Sequence, residues 1–458
     1  MNEVATPSER TNWGLMALLL LGVALRIGAM IHWNEDLSQD RDAYLGLATS
    51  LQEGRGLATP GTETPTAFRP PLYPLWLSLD PTTSLGRWVA ISNLLFGWGT
   101  ILLTYHLGRR LGLSEGRSTL AAGLIAIDPL LLRYSAQPMT ECFSTLLATA
   151  LLWHLARPGD SQSRSIGSLF TGLLFGANVL CRPTFWAFGG LLLFATVLLS
   201  NSILAKRFLF GEPRLNMSES ATASSEQRRL RLWNWKGTLL VMLGIVLTVG
   251  PWGVRNAKQL GSPIITTTHG GYTLLLGNNA PFYKEVVRQP WGTVWDGSHG
   301  PGQEGWYRDV LQQMQADGVT SAAPQVDGIS TEVAADRWQQ RLAKESIAAD
   351  PGGFVHASLL RFVRFWNVVP LGDPGGKIPA TLWWGTGLFY GLLFAAALVA
   401  LVRLKHLDSP QLWLPPIAMI VAFTLVHLVY WSNTRMRAPL MPSITLLALS
   451  SWPTRKVT

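Results

Sequence analysis

Apolar runs long enough, or nearly long enough, to cross a bilayer recur from one end of this chain to the other. A transmembrane helix needs about 20 predominantly apolar residues. Runs near that length occupy 13–33, 88–108, 118–134, 140–156, 166–181, 184–204, 237–254, 381–402, 412–431 and 438–452. Only helices or closed barrels satisfy their backbone groups in lipid, so the series predicts an all-α polytopic protein of about ten spans. Composition agrees: 14% of residues are charged, against about 25% in soluble domains. The first run follows Arg10 but precedes no small-residue cleavage site, so it reads as a retained anchor rather than a signal peptide. Two cysteines, Cys142 and Cys181, imply no disulfide framework and read as buried thiols.

Lys and Arg set the expected orientation. Alternate loops carry "GRRLGLSEGR", "RPGDSQSR", the stretch 205–235, "RLKH" and the terminal "RKVT", and the positive-inside rule places these basic loops, with both termini, in the cytoplasm. The net charge of +9 is then a topology signal. No basic stripe with interleaved aromatics lies outside these loops, which argues against nucleic acid as a partner. Residues 205–235, rich in Ser, Glu and Arg, read as a cytoplasmic linker. The opposite face receives 34–87, a turn around 135–140, and about 125 residues at 255–380. The chain thus divides into an N-terminal membrane module (1–254), an outer domain (255–380) and C-terminal membrane helices (381–458). Reporter fusions at residues 220 and 320 are expected to read opposite sides of the membrane; the same side for both overturns this topology.

Two textures mark the large outer segment. Its first half, "GSPIITTTHGGYTLLLGNNAPFYKEVV", is β-branched and punctuated by Gly and Asn, predicting short strands and turns and hence a small mixed α/β domain. In its second half a Ser-Thr-Glu start and helical spacing, broken at "DPGG", predict two helices. The later one carries Phe354, Leu359, Phe362 and Phe365 beside Arg361 and Arg364, as an interfacial helix does. In the first outer loop, Tyr44, Leu47, Ala48 and Leu51 fall on one face of a helix. "RPPLYP" follows as an extended segment.

On the outer rim this topology gathers Asp42, Arg69, Glu141, Arg182, Arg255, Arg435 and Arg437. Ionisable groups there are costly unless paired, snorkelling or lining a wet cavity. Asp40 and Asp42 both stand at a helix start, where a carboxylate caps free amides; Asp40 suits that duty at least as well, so Asp42 reads either as a second cap or as a group free for chemistry. Glu141 opens a spanning helix and can serve its positive end. Snorkelling accounts for Arg182, whereas arginines on an outer face run against the positive-inside rule, so Arg435 and Arg437 point to anion binding. No nucleotide loop, zinc spacing or serine elbow is present. His106, His154 and His427 lie in or beside apolar runs and read as packed or interfacial.

Taken in order, "RDAYLGLATSL", "FRPPLYPLW", "PLLLRYSAQPMTE", "LCRPTF", "PWGVRN", "GGYTLLLGNNA" and "RMRAPLMP" resemble the GT-C glycosyltransferases, in particular the bacterial branch related to protein O-mannosyltransferases and the lipid A aminoarabinose transferase. The resemblance implies a multi-pass enzyme of the bacterial inner membrane that takes a sugar from a polyprenyl-phosphate donor to an envelope glycan, lipid or protein acceptor. It places the family's two acids on Asp42 and Glu141, and its phosphate-binding arginines on Arg182, Arg435 and Arg437. Tyr44, Arg69 and Arg255 join them as substrate-binding candidates. "RDAY" lacks the paired acid of several relatives, which bears on whether a divalent cation takes part. A lipid or solute transporter, or a noncatalytic scaffold, is the alternative; no internal repeat of the kind that builds transporters is visible.

Overall fold

Among the described residues five helices are long and apolar enough to cross a membrane: α1 (Trp13–His32), α4 (Leu85–Arg110), α10 (Trp235–Leu260), α15 (Ala380–Val402), and the stretch Pro410–Val429, which contains α16 (Leu414–Val429). The computed structural model describes residues 13–157, 164–201, 235–319, 325–326, 328–370, 379–404 and 409–450. Both termini and the linker expected at 205–235, apart from Trp235, lie outside the described residues.

The other expected spans are shorter, for identifiable reasons. The run at 118–134 breaks into α5 (Glu115–Ala126) and α6 (Pro129–Ser135). Asp128 caps the second of these, its carboxylate accepting from Leu131 N–H at 2.9 Å, and Pro129 takes the first helical position, where no amide is needed. α7 (Glu141–Leu155), α8 (Arg164–Cys181) and α9 (Phe185–Asn201) are apolar but short. The last run opens as a 3-10 turn, Thr434–Leu440, followed by α17 (Met441–Ser450). Every residue of α17 is buried, so its length answers to protein neighbours rather than to lipid thickness. α8 and α10 pack backbone to backbone: a Cβ on Gly172 would stand 2.1 Å from the Val241 carbonyl oxygen, and one on Gly244 2.5 Å from that of Leu169. Small residues permit this approach where no hydrophobic force separates helix from lipid.

The first outer loop holds α2 (Tyr44–Gln52), which buries Tyr44, Leu45, Leu47, Ala48 and Ser50, and α3 (Leu72–Ser78). "RPPLYP" is therefore not extended throughout: Pro71 already has helical geometry, φ −78° and ψ −23°, and α3 begins at Leu72. Pro71 caps α3 and Pro74 sits in the first turn, where a missing N–H costs no helical bond.

Residues 255–380 correct the expectation of mixed α/β structure. Where strands were expected, "GGYTLLLG" forms α11 (Gly270–Gly277), and Asn279 caps the next turn by accepting from Phe282 N–H at 2.8 Å. The reason is tertiary. Leu274, Leu275 and Leu276 are buried in a cluster with Phe282, Trp306, Val310 and Trp338, and Gly271 lets α11 press on α13 (Thr331–Ala349), because a Cβ there would meet the Asp336 carbonyl oxygen at 2.1 Å. Among the described residues the strands amount to one antiparallel pair, Gln325–Val326 with Ile329–Ser330. The two later helices follow the sequence signals. Ser330 caps α13, Asp350 ends it, and the same Asp350 caps α14 (Pro351–Phe365) through Gly353 N–H at 2.8 Å. Val355, Leu359, Phe362 and Val363 leave an exposed apolar stripe along α14, as an interfacial helix requires.

Candidate active site

At the start of α2 the two acids of "QDRDAY" part company. Asp40 does the capping: its carboxylate accepts from Leu45 N–H at 2.9 Å and Gly46 N–H at 2.7 Å. Ala43 adopts a left-handed conformation, φ +64°, which costs a non-glycine residue roughly 1–2 kcal/mol. That turn sets Asp42 off the helix axis with no capping role. Its side chain meets two guanidinium groups instead. Arg69 Nη2 donates to Oδ1 at 3.0 Å while Arg69 Nε holds the Asp42 carbonyl at 2.9 Å. From the far end of the chain, Arg435 Nη1 donates to Oδ2 at 2.9 Å. Burial alone pushes the Asp42 carboxyl up, but Arg435 and Arg69 together hold it below the usual carboxylate range.

Glu141, the first residue of α7, is the second acid. Arg182, just beyond α8, donates through Nη2 to Glu141 Oε1 at 2.6 Å and through Nε to Thr140 Oγ1 at 3.1 Å. Arg435 Nε lies 3.9 Å from the same Oε1, so one guanidinium spans both acids. Glu141 Oε2 is buried and has no hydrogen-bond partner. The acids differ in access: the Asp42 side chain retains 17% exposure and that of Glu141 2%. Two carboxylates face three guanidinium groups, and the surplus positive charge suits an anion.

Other expected site residues support this centre from outside it. Tyr44 is buried edge-on to Tyr73 at 5.2 Å, its phenol pushed up to about 12 by desolvation, and the Arg69 guanidinium lies over its ring. Arg255 reaches back to the first loop, donating to the carbonyls of Thr66 at 2.8 Å and Leu57 at 2.5 Å. Arg437, only two residues from Arg435, points elsewhere. It is fully buried, donates to the carbonyls of Phe365 and Asn367, and lies over the Tyr390 ring at 4.6 Å. It is a strut between the last helices, not a member of the cluster.

Two participants escaped the sequence reading. Glu332 accepts from Ala67 N–H at 2.8 Å, Thr66 Oγ1 at 2.5 Å and Thr268 Oγ1, pinning the loop that carries Arg69 to α13. The only local signal was its place in the first helical turn, two residues after the Ser330 cap, in "STEV". His269 stands edge-on to Phe68 with ring centroids 4.3 Å apart. Desolvation first, then Arg69, lower its imidazole to about 3, so it is neutral.

A divalent cation does not fit these residues. Both Asp42 oxygens and Glu141 Oε1 are engaged by arginine, and an ion would join a cluster already in positive excess. Among the described residues no group of three or more His, Cys, Asp or Glu side chains is arranged to hold a metal.

No family model matches the sequence, and no curated protein matches it. The fold resembles the oligosaccharyltransferase AglB from Archaeoglobus fulgidus in complex with an inhibitory peptide and a dolichol-phosphate (TM-score 0.48, 13% identity, 95% of this chain and 50% of that one). The apo form of the Archaeoglobus fulgidus enzyme gives TM-score 0.49, 13% identity, and coverage of 96% and 50%. ArnT from Cupriavidus metallidurans bound to undecaprenyl phosphate gives TM-score 0.40, 12% identity, and coverage of 96% and 78%. The present chain spans about half the length of the oligosaccharyltransferase chains it matches.

Proposed function

We propose that this protein is a membrane glycosyltransferase that moves one sugar from a polyprenyl-phosphate carrier to an acceptor hydroxyl at the periplasmic face of the inner membrane. The observation that carries the reading is Asp42 held between Arg69 and Arg435, with Arg435 bridging to the Glu141–Arg182 pair. A sugar phosphate diester needs its leaving phosphate neutralised, and forked guanidinium groups do this well. One carboxylate can then take the proton from the attacking hydroxyl. In the step, the acceptor oxygen bonds the anomeric carbon as the bond to the phosphate oxygen breaks. The proton passes to Asp42, the polyprenyl phosphate departs with the bonding electron pair, and this single displacement inverts the anomeric centre. A glycosidase would instead place two carboxylates across the scissile bond.

Occupied by two arginines, Asp42 is a weak base. Donor phosphate competes for Arg69 and Arg435, and every guanidinium hydrogen bond it draws off lets the Asp42 pKa rise. Base strength is thereby coupled to donor binding. Glu141, more buried, keeps Arg182 and Arg435 in place.

The test is consumption of polyprenyl-phosphate sugars by the purified protein in detergent, across a broad panel of hexose and pentose donors. Turnover of one donor is expected, and none from any overturns the enzyme reading in favour of a transporter or a scaffold. Because arginines occupy the carboxylates, turnover should change by less than about twofold after chelation with EDTA; loss on chelation with rescue by Mg2+ or Mn2+ overturns the arginine-only centre.

A further inference from the structure

Beside the ion cluster a row of aromatic rings leads outward. The Arg69 guanidinium lies 4.9 Å from the centroid of Phe68. From there the rings follow one another: Phe68 to His269 at 4.3 Å, His269 to Tyr272 stacked at 5.2 Å, Tyr272 to Tyr307 edge-on at 5.9 Å. Phe68, His269 and Tyr272 are half-buried and Tyr307 is 40% exposed, so the row keeps open surface from the cluster to the outside. It comes from three separate pieces of chain, the first outer loop, the start of α11, and α12 (Gly302–Ala316).

Polar atoms edge the row. His269 Nδ1 is buried with no hydrogen-bond partner, and the Tyr272 hydroxyl shares a hydrogen bond with the Gln303 side chain. None of the row's own side chains carries a charge, His269 being neutral beside Arg69. Flat apolar faces with neutral donors and acceptors at their rims match a pyranose ring, which has an apolar C–H face and a rim of hydroxyls. An extended peptide would call for a free strand edge, and a peptide helix for an aliphatic groove. Among the described residues the four rings stand on a loop and on helices, and none belongs to a strand.

Resting on the transferase reading above, we propose that the acceptor is a saccharide, whose rings stack along Tyr307, Tyr272 and His269 and so deliver a hydroxyl past Phe68 to Asp42. The row then acts as the acceptor subsite, and His269 Nδ1 is available to a sugar hydroxyl next to the reacting one.

The test is saturation-transfer NMR on the full chain in detergent. Its probes are soluble α- and β-linked trisaccharides of glucose, galactose, mannose and N-acetylglucosamine, with Ser/Thr-rich peptides alongside. At least one trisaccharide should receive saturation, strongest at the protons of its apolar ring face. Tyr307→Ala should weaken its Kd about tenfold or more at an unchanged melting temperature, and Tyr307→Phe, which keeps the ring, should restore most of the affinity. The inference is overturned if no trisaccharide is saturated, if the peptides bind instead, or if Tyr307→Ala leaves saccharide affinity intact. Donor consumption measured on the same preparation separates the two readings: its absence counts against the transferase, whereas saccharide binding lost or kept counts only for the acceptor.

Discussion

Asp42→Asn is expected to lower turnover by a factor on the order of 10² or more while expression and melting temperature stay near wild type. The asparagine keeps the shape of the side chain and can still accept from Arg69 and Arg435, but it takes no proton. Asp40→Asn is the matched control, because Asp40 serves Leu45 N–H and Gly46 N–H and its loss touches the helix cap, worth about 1 kcal/mol, with turnover per folded molecule retained. A pH series adds a second readout. Arg435 and Arg69 overcome the effect of burial and depress the Asp42 pKa, so in the free enzyme Asp42 stays ionised down to pH values below its ordinary pKa of about 3.9. The sign for stability follows: this ion pairing contributes above the unfolded-state pKa and is lost as pH falls through the lower folded value. The acid limb of kcat/KM assigned to Asp42 should accordingly lie below the usual carboxylate range and vanish in Asp42→Asn. Near-normal transfer by Asp42→Asn would reduce Asp42 to an ion-pair partner and pass the role of base to Glu141.

Arg435→Lys should reduce donor kcat/KM by a factor on the order of 10², although it conserves charge. Arg435 reaches Asp42 Oδ2 through Nη1 and approaches Glu141 Oε1 through Nε. A single ammonium cannot span both acids and also present a fork to phosphate. Two residues on, Arg437→Lys makes the opposite expectation. It removes hydrogen bonds to the buried carbonyls of Phe365 and Asn367, each left carbonyl costing about 1–3 kcal/mol, so the melting temperature should fall while donor KM holds. Equal donor kinetics in Arg435→Lys and wild type would move the phosphate site away from Arg435. A collapse of donor KM in Arg437→Lys would return that residue to the cluster.

Local chemistry made much of this legible from residues alone. Capping chemistry marked Asp40 and Asp42 as the two candidates ahead of α2, and the left-handed turn at Ala43 decided between them by giving the Leu45 and Gly46 amides to Asp40. Ser330 and Asp350 announced α13 and α14 for the same reason. Charge asymmetry put Arg69, Glu141, Arg182 and Arg435 on one rim, and of the expected site residues Tyr44, Arg69, Glu141, Arg182 and Arg435 touch or flank Asp42 and its partners, whereas Arg255 and Arg437 bond backbone carbonyls elsewhere. The strand reading of "GGYTLLLG" failed because periodicity over eight residues cannot separate a short buried helix from a strand. What decided it was the apolar cluster waiting for Leu274, Leu275 and Leu276.

Apolar run length, basic loops and capping residues are local properties, and they determined an all-helical membrane architecture with an acid and arginines on one face. Side-chain direction over hundreds of residues is not local. Only the tertiary structure sent Arg435 across 393 positions to Asp42 while turning Arg437 inward to the Phe365 and Asn367 carbonyls. It also laid His269 and Tyr272 beside Phe68. The physical reason is that a buried guanidinium goes wherever packing leaves unpaired oxygens, and those oxygens are defined only once the helices have met.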